Sequence, residues 1–304
     1  AFFDLEYGIN PANSVGALNS STTSANLNTR HSLVGLSDNA LGTLAVGRIE
    51  TAARSFAIAT RPWGGVADTH RMLGEKVLGM GINSADRLSN AVSYTSPTFA
   101  GFTAIVQHSS DKGDTAFNDL SYNQTGAGRQ PVSIVHGQYT LGGLDVAAIW
   151  RRQQNQLQGA TESANSEAGI RAAYDFKVVK IGASYNQIRK NTVSSNFDKG
   201  YLWGVFANVP VGDRVNLSAQ YNQSKATNLA ANNAGDIGGK AFALNASYDF
   251  SKRTQLYTQY ANYKLNNGNA SLSSPNVGFN GWGQIGVEPG KTVNAFSVGM
   301  LHKF

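Results

Sequence analysis

From about residue 28 onward the chain repeats one unit: a segment that alternates apolar and polar side chains, a tight turn, a second such segment, and a long polar connection. Six turns are tight: Ser37-Asp38-Asn39-Ala40, Thr95-Ser96-Pro97-Thr98, Leu141-Gly142-Gly143, Asp175-Phe176-Lys177, Pro210-Val211-Gly212-Asp213 and Phe250-Ser251-Lys252-Arg253. The connections between the hairpins are long, at 10–27, 49–86, 109–130, 153–163, 189–198, 224–237 and 265–291. A water-soluble sandwich has no reason to keep every second connection short, whereas a barrel crossing a membrane has short turns at one end and long loops at the other. The expected strands are 1–8, 28–37, 41–48, 87–95, 98–108, 131–141, 143–152, 165–176, 178–188, 199–209, 213–223, 238–250, 253–264 and 292–304.

Composition agrees with an all-β transmembrane barrel. The 304 residues include no Cys and only 14% charged residues, which disfavours a disordered chain or a disulfide-stapled secreted domain. No stretch of apolar residues reaches the length of a transmembrane helix. The strand rhythm has no break and no linker of changed composition, so a single domain over 1–304 is expected. A mean hydropathy of −0.26 looks soluble, but a barrel wall hides its apolar residues at every second position. The opening Ala1-Phe2-Phe3-Asp4-Leu5-Glu6-Tyr7 already reads as a strand, so an export signal is expected to have preceded it.

The strand faces divide cleanly. Leu144, Val146, Ala148 and Trp150 oppose Asp145, Ala147, Ile149 and Arg151, and Ala168, Ile170, Ala172 and Tyr174 oppose Glu167, Gly169, Arg171 and Ala173. Val215, Leu217, Ala219 and Tyr221 oppose Asn216, Ser218, Gln220 and Asn222. On 87–95, Leu88, Val92 and Tyr94 are expected outward, with Arg87, Ser89, Ala91 and Ser93 inward. The polar set holds too many Arg, Asp, Asn and Gln to pack dry, so a wet inner face is expected. Strand 28–37 is ambiguous, because Leu33, Val34 and Leu36 put apolar residues on both faces, as suits a wall segment in a subunit contact. Tyr, Phe and Trp gather near strand ends, as in the interfacial girdles of a barrel.

Several stretches carry a resemblance. Thr29-Arg30-His31-Ser32-Leu33-Val34-Gly35-Leu36-Ser37, Gly42-Thr43-Leu44-Ala45-Val46-Gly47-Arg48, Ser93-Tyr94 with Pro97 and Phe99-Ala100-Gly101-Phe102, Tyr248-Asp249-Phe250-Ser251-Lys252-Arg253-Thr254-Gln255-Leu256-Tyr257 and the ending Val298-Gly299-Met300-Leu301-His302-Lys303-Phe304 together resemble the general trimeric porins of β-proteobacteria. The resemblance implies a 16-stranded antiparallel barrel whose first two strands precede Ala1, a homotrimer, and passive diffusion of ions and small hydrophilic solutes through a water-filled lumen, with no cofactor. It implies a Gram-negative outer membrane with its lipid and lipopolysaccharide around the barrel, and assembly machinery that reads the last strand with its terminal Phe304. It also implies that the third external loop, here 49–86, folds into the lumen and narrows it. That loop has a possible short helix around 66–73 and carries Glu50, Asp68, Glu75 and Asp86 against Arg54, Arg61, Arg71 and Lys76. Arg30 and Arg87 match two lumen-facing arginines of the anion-preferring members, and a third belongs to the segment before Ala1. The expected constriction is therefore Arg30, Arg87, Arg54, Arg61, Arg71, Glu50, Asp68 and Glu75. Arg151, Arg171 and Lys180, also on polar faces, could extend a basic track.

Other functions find less support. The five His show no metal-ligand spacing, and no Gly-rich segment sits between a strand and a helix as a phosphate loop does. Lys and Arg are dispersed rather than clustered, against nucleic acid. A barrel-wall Ser/His/Asp hydrolase is the enzyme alternative, and a substrate-specific channel for sugars or one anion is the non-enzyme alternative. A plugged adhesive barrel would need an inserted domain of its own.

Overall fold

The computed structural model describes residues 1–9, 27–60, 63, 65–83, 87–110, 130–155, 163–191, 197–227, 235–271 and 288–303. Within them the chain forms fourteen strands: β1 (Phe2–Ile9), β2 (Leu27–Asp38), β3 (Gly42–Glu50), β4 (Arg87–Thr95), β5 (Phe102–Ser109), β6 (Val132–Leu141) and β7 (Leu144–Asn155), followed by β8 (Ser163–Asp175), β9 (Lys180–Asn191), β10 (Lys199–Val211), β11 (Val215–Ala226), β12 (Ile237–Asp249), β13 (Thr254–Leu265) and β14 (Thr292–His302). All lie in one sheet in strictly sequential order, each antiparallel to its neighbours. Segments this long with period-two alternation satisfy nearly every backbone group of β2 to β13 on the two flanking strands, while β1 and β14 each pair on one side.

One face presents Val146, Ile170, Val205, Leu217, Leu244 and Val298 to the outside. Aromatic pairs bracket this apolar band. At the turn end Tyr174 meets Phe176 at 4.5 Å and Tyr248 meets Phe250 at 5.0 Å between ring centroids. Toward the loop end Tyr185 stacks on Tyr201 at 6.2 Å, Trp203 meets Tyr221 at 5.4 Å and Phe242 meets Tyr260 at 5.6 Å. The expected gathering of aromatics near strand ends is thus two tiers of paired rings.

The structure corrects three expectations. Strand β5 begins at Phe102 rather than 98, because Phe99 and Phe102 bridge each other across Ala100 and Gly101, both at positive φ (47° and 88°). Leu88 does not face outward. Gly47 pairs with Ala91 but Ile49 pairs with Leu88, so Ser89 and Asn90 of β4 oppose Arg48 alone on β3, and Asn90 takes a φ of 50° at the bulge. The extra residue reverses the parity of β4 and buries Leu88 beside Ile49. The inner face is not uniformly wet either. Asn186, Asn222, Glu167 and Arg151 are buried, as is an apolar cluster of Ile134, Ile149, Ile188, Leu202 and Tyr263. Strand β2 resolves its own ambiguity: Val34 and Leu36 are exposed, and Leu33 packs against the inner cluster.

Ile170 lies mid-strand on the outer face, 61% exposed. Ile170→Lys is expected to cost about 2–4 kcal/mol of folding free energy in lipid vesicles, the penalty for a cation at mid-bilayer depth. Urea unfolding in vesicles checks this, and an unperturbed midpoint would place that face away from lipid.

Candidate channel constriction

The connection between β3 and β4 turns inward, and its local sequence explains how. Thr51 caps α1 (Ala52–Ala59), its hydroxyl accepting from Arg54 N at 3.3 Å. Ala52, Ala53, Phe56 and Ala57 share one buried face of this helix, the spacing of an amphipathic helix. After a 3₁₀ turn (Gly65–Ala67), Asp68 caps α2 (Thr69–Arg71) by accepting from Arg71 N at 3.3 Å. A π-helical turn (Met72–Val77) and a further 3₁₀ turn (Gly81–Asn83) follow. The expected helix around 66–73 is thus real but broken into three kinds of turn. Helix α1 lies outside the expected helix although Thr51 before an Ala-rich run signals it.

The loop is docked onto the inner faces of distant strands. Phe56 packs edge-on against His136 of β6, with ring centroids 6.2 Å apart, and under the Arg171 guanidinium of β8. A Cβ at Gly169 would stand 3.0 Å from the Phe56 ring, so the glycine makes room for it. Tyr263 of β13 donates to Val66 O at 2.6 Å, and Gln220 of β11 donates to Ala67 O and, at 2.7 Å, to Thr69 Oγ1. Asn222 donates to Thr69 Oγ1 at 2.6 Å, and Ala52 N donates to Gln107 Oε1 of β5 at 2.8 Å. Ile82 N donates to Glu167 Oε2 at 2.8 Å, while Glu167 also holds Arg151 at 2.8 Å, a pair almost wholly removed from solvent. His70 is the junction. Its Nδ1 lies 3.3 Å from Thr60 Oγ1 and 3.2 Å from Asn83 Nδ2, and its Nε2 lies 3.1 Å from Ser184 Oγ and 3.2 Å from Asn186 Nδ2 of β9. Backbone groups that water would solvate in a surface loop are here satisfied by wall side chains.

The charges fall into two environments. Arg151 and Arg171 do not form an open basic track: Arg151 is paired with Glu167 under Gly81, and Arg171 with Asp145 at 2.8 Å. Removing one partner of such a pair strands a buried charge and costs about 3–5 kcal/mol. The second environment lies where α1 leaves β3. Glu50 accepts from Arg54 at 3.0 Å, and its other oxygen lies 3.7 Å from Arg87 Nη2 and 3.6 Å from His31 Nε2. Arg30 is 2.6 Å from Glu6, and His31 is 3.0 Å from Asp4. The Arg30, Arg54 and Glu50 side chains keep partial access to solvent, 38%, 27% and 32% exposed, whereas Arg87 keeps 13%.

The structure therefore gathers Arg30, Arg54, Arg87 and Glu50 into one cluster. It places Arg71 with Glu75 (2.5 Å) and Lys76 in a separate half-exposed group on the loop. Asp68 is buried as a helix cap. Arg61 lies outside the described residues. Because of the bulge at Asn90, strand parity does not locate Arg87; its neighbours do, since it stands within electrostatic reach of Arg30, Arg54 and Glu6. Glu6, Asp4 and His31 are members that the sequence reading missed. Their signal is the pairing of β1 with β2, which sets Glu6 opposite His31 and Asp4 opposite Leu33.

A sequential antiparallel sheet with a lipid-type outer face and a long loop docked inside it is a channel architecture. The family described as Gram-negative porin matches residues 1–268. The chain belongs to the Gram-negative porin family. An outer membrane porin protein of Bordetella pertussis (strain Tohama I) is 27% identical over 303 residues, spanning 88% of this chain and 73% of the relative. The anion-selective porin from Comamonas acidovorans superposes with a TM-score of 0.68 at 22% identity, covering 99% of this chain and 84% of the other. OmpT of Vibrio cholerae in its trimer form gives 0.61 at 15% identity, covering 91% and 81%. This porin is thus an outer-membrane channel for passive diffusion rather than an enzyme, and it is similar to channels over nearly its whole length.

If His70 pins the loop, His70→Ala leaves Ser184, Asn186 and Asn83 with unpaired polar atoms, an effect of about 1–3 kcal/mol. The expected outcome is a larger and noisier single-channel current at unchanged ion preference. A trace identical to the parent would show that the loop is held without it.

Proposed function

We propose that this porin prefers anions, that Arg30, Arg54 and Arg87 set the preference, and that it assembles as a homotrimer. The observation that carries the first part is Arg87. Its side chain is 13% exposed, its buried Nε and Nη2 have no hydrogen-bond partner among the described residues, and Glu50 stands off at 3.7 Å. A guanidinium whose charge no carboxylate pairs closely, flanked by two more guanidinium groups, supplies the positive potential that draws anions into a narrow aqueous path. Glu50 and Glu6 hold the arginines in place and moderate that potential. Arg71, Glu75, Asp68 and Arg61 act in this reading as parts of the loop that shape the opening. The name of the Comamonas relative supports the anion preference.

Trimer assembly is supported by the trimer form of the Vibrio porin and by β2, which turns Val34 and Leu36 outward on the wall beside β1. The last strand exposes Phe296, Val298 and Met300 on one face, an apolar stripe suited to recognition by the outer-membrane assembly machinery; Phe304 itself lies outside the described residues. Lipid and lipopolysaccharide are the surroundings of the outer face.

Reversal potentials in a planar bilayer under a KCl gradient test the reading. The parent is expected to reverse on the anion side and to insert in three-step events. Arg87→Ala should lower the anion-to-cation permeability ratio about fivefold, the effect of one unit charge worth roughly 1 kcal/mol in a solvated path. An unchanged reversal potential would remove Arg87 from the selectivity site, and single-step insertions would remove the trimer.

A further inference from the structure

The inner face is charged on some strands and nearly charge-free on others. Arg30 and Arg87 belong to β2 and β4, and Arg54 to the helix that leaves β3. Strands β10 to β14 turn one charged side chain inward among the described residues, Asp249, which accepts from Gln255 at 2.7 Å near the turn end. Strand register builds their uncharged groups into a row. Asn208 of β10 stands opposite Ser218 of β11, Ser218 opposite Asn245 of β12, Asn245 opposite Gln259 of β13, and Gln259 opposite Ser297 of β14. The row partly satisfies itself: Ser218 donates to Asn208 Oδ1 at 3.3 Å, and Ser297 to Gln259 Oε1 at 3.1 Å. The amide between these two pairs is different. Asn245 is 5% exposed, and neither its Nδ2 nor its Oδ1 has a hydrogen-bond partner among the described residues. A buried amide is costly unless something supplies its partners.

The docked loop brings aromatic rings to this row. Its 3₁₀ turn, Gly65–Ala67, lies against β12, β13 and β14. There the buried Ala243 and Ala261 stand opposite each other, two residues loopward of Asn245 and Gln259. Trp63, just ahead of the turn, packs on Tyr257 of β13 with ring centroids 5.6 Å apart and planes tilted by 50°. Tyr257 is two residues turnward of Gln259 on the same face, and it leans across β14 at Gly299, where a Cβ would meet its hydroxyl. The row thus has the loop turn along one flank and a pair of rings along the other.

These groups select a ligand class. An ion that left water beside the row would find no counter-charge in it. Uncharged hydroxyls would exchange water for amide and hydroxyl partners, and an amide offers a donor and an acceptor side by side, the complement of two neighbouring hydroxyls. Trp and Tyr add flat apolar faces with a polar edge, which suit a ring that carries C–H bonds on its faces and hydroxyls on its rim. We propose that the row and the two rings form a binding subsite for a neutral pyranose sugar, with Asn245 and Gln259 taking its hydroxyls and Trp63 or Tyr257 packed on its face. The subsite lies on the turn side of the docked loop and on other strands than the arginine cluster. It goes beyond the proposed function, resting on the channel being open but not on its anion preference.

The test titrates glucose against single-channel ion current of the full chain in a planar bilayer. Glucose-dependent interruptions are expected to rise with concentration and saturate, which free diffusion does not do. Sorbitol, hydroxyl-rich but without a ring, is expected to bind about tenfold more weakly, having no face to pack on an aromatic side chain. Asn245→Ala and Trp63→Ala should each weaken glucose binding about tenfold, the effect of one well-placed hydrogen bond or ring contact. A control in the outward ring of Tyr221, Tyr221→Ala, should bind glucose as the parent does. A current that falls only in proportion to the added viscosity, equal binding of sorbitol, unchanged binding in either site variant, or an equal loss in the control would each overturn the proposal. The comparison of glucose with sorbitol needs no variant, so it decides the matter even where a substituted chain fails to fold. The reversal potential without sugar reads the anion preference and the titration reads this subsite, so either can fail alone.

Discussion

A bilayer offers a backbone no hydrogen-bond partner, and that constraint decides what this chain can be. Each strand must pair with its neighbours along its length, and strands joined by tight turns do so at once, which is why the sheet order follows the sequence order without a crossover. The same constraint acts on the connection between β3 and β4, which leaves the wall and enters the interior. Wrapped among side chains rather than water, it too must find partners for its peptide groups. It finds them in Tyr263, Gln220, Glu167 and Gln107, four inward residues on four different strands. The long polar side chains of the inner face are the counterpart of a loop that would otherwise carry unsatisfied backbone.

That pairing explains which parts of the structure could be read from the sequence. Period-two alternation is set by the lipid on one side, so Ile170 against Glu167 and Leu217 against Gln220 were legible without coordinates. The bulge at Asn90 was not, because it rests on a positive φ and a two-against-one register that leave no trace in hydropathy. The fate of the inner polar residues was also hidden. Alternation separates polar from apolar, but it does not distinguish an asparagine that meets water from one that meets a loop residue far along the chain, as Asn186 meets His70. The candidate site shows the same division. Arg54 and Glu50 are four residues apart across a helix start, and their ion pair follows from local geometry. Glu6 and His31 join them only through the register of β1 on β2.

The docked loop divides the interior into a dry side and an open side, and this sets what each charge can do. On the dry side Arg151 and Glu167 sit at bonding distance in a low-dielectric setting, where each cancels the other almost completely. They add to the formal net charge of +6 in the bookkeeping sense only, since a solute in the channel sees a neutral dipole. On the other side the carboxylates grip Arg30, Arg54 and Arg87 unequally, at 2.6 Å on Arg30 but 3.7 Å on Arg87, so the charge of Arg87 is the less closely paired. Arg152, Arg189, Lys199, Lys240 and Lys264, each exposed beside a buried inward neighbour, form a third class, separated from the lumen by the wall itself. A net charge therefore says little about selectivity in a channel of this kind. What matters is which side of the loop, and which face of the sheet, each cation occupies.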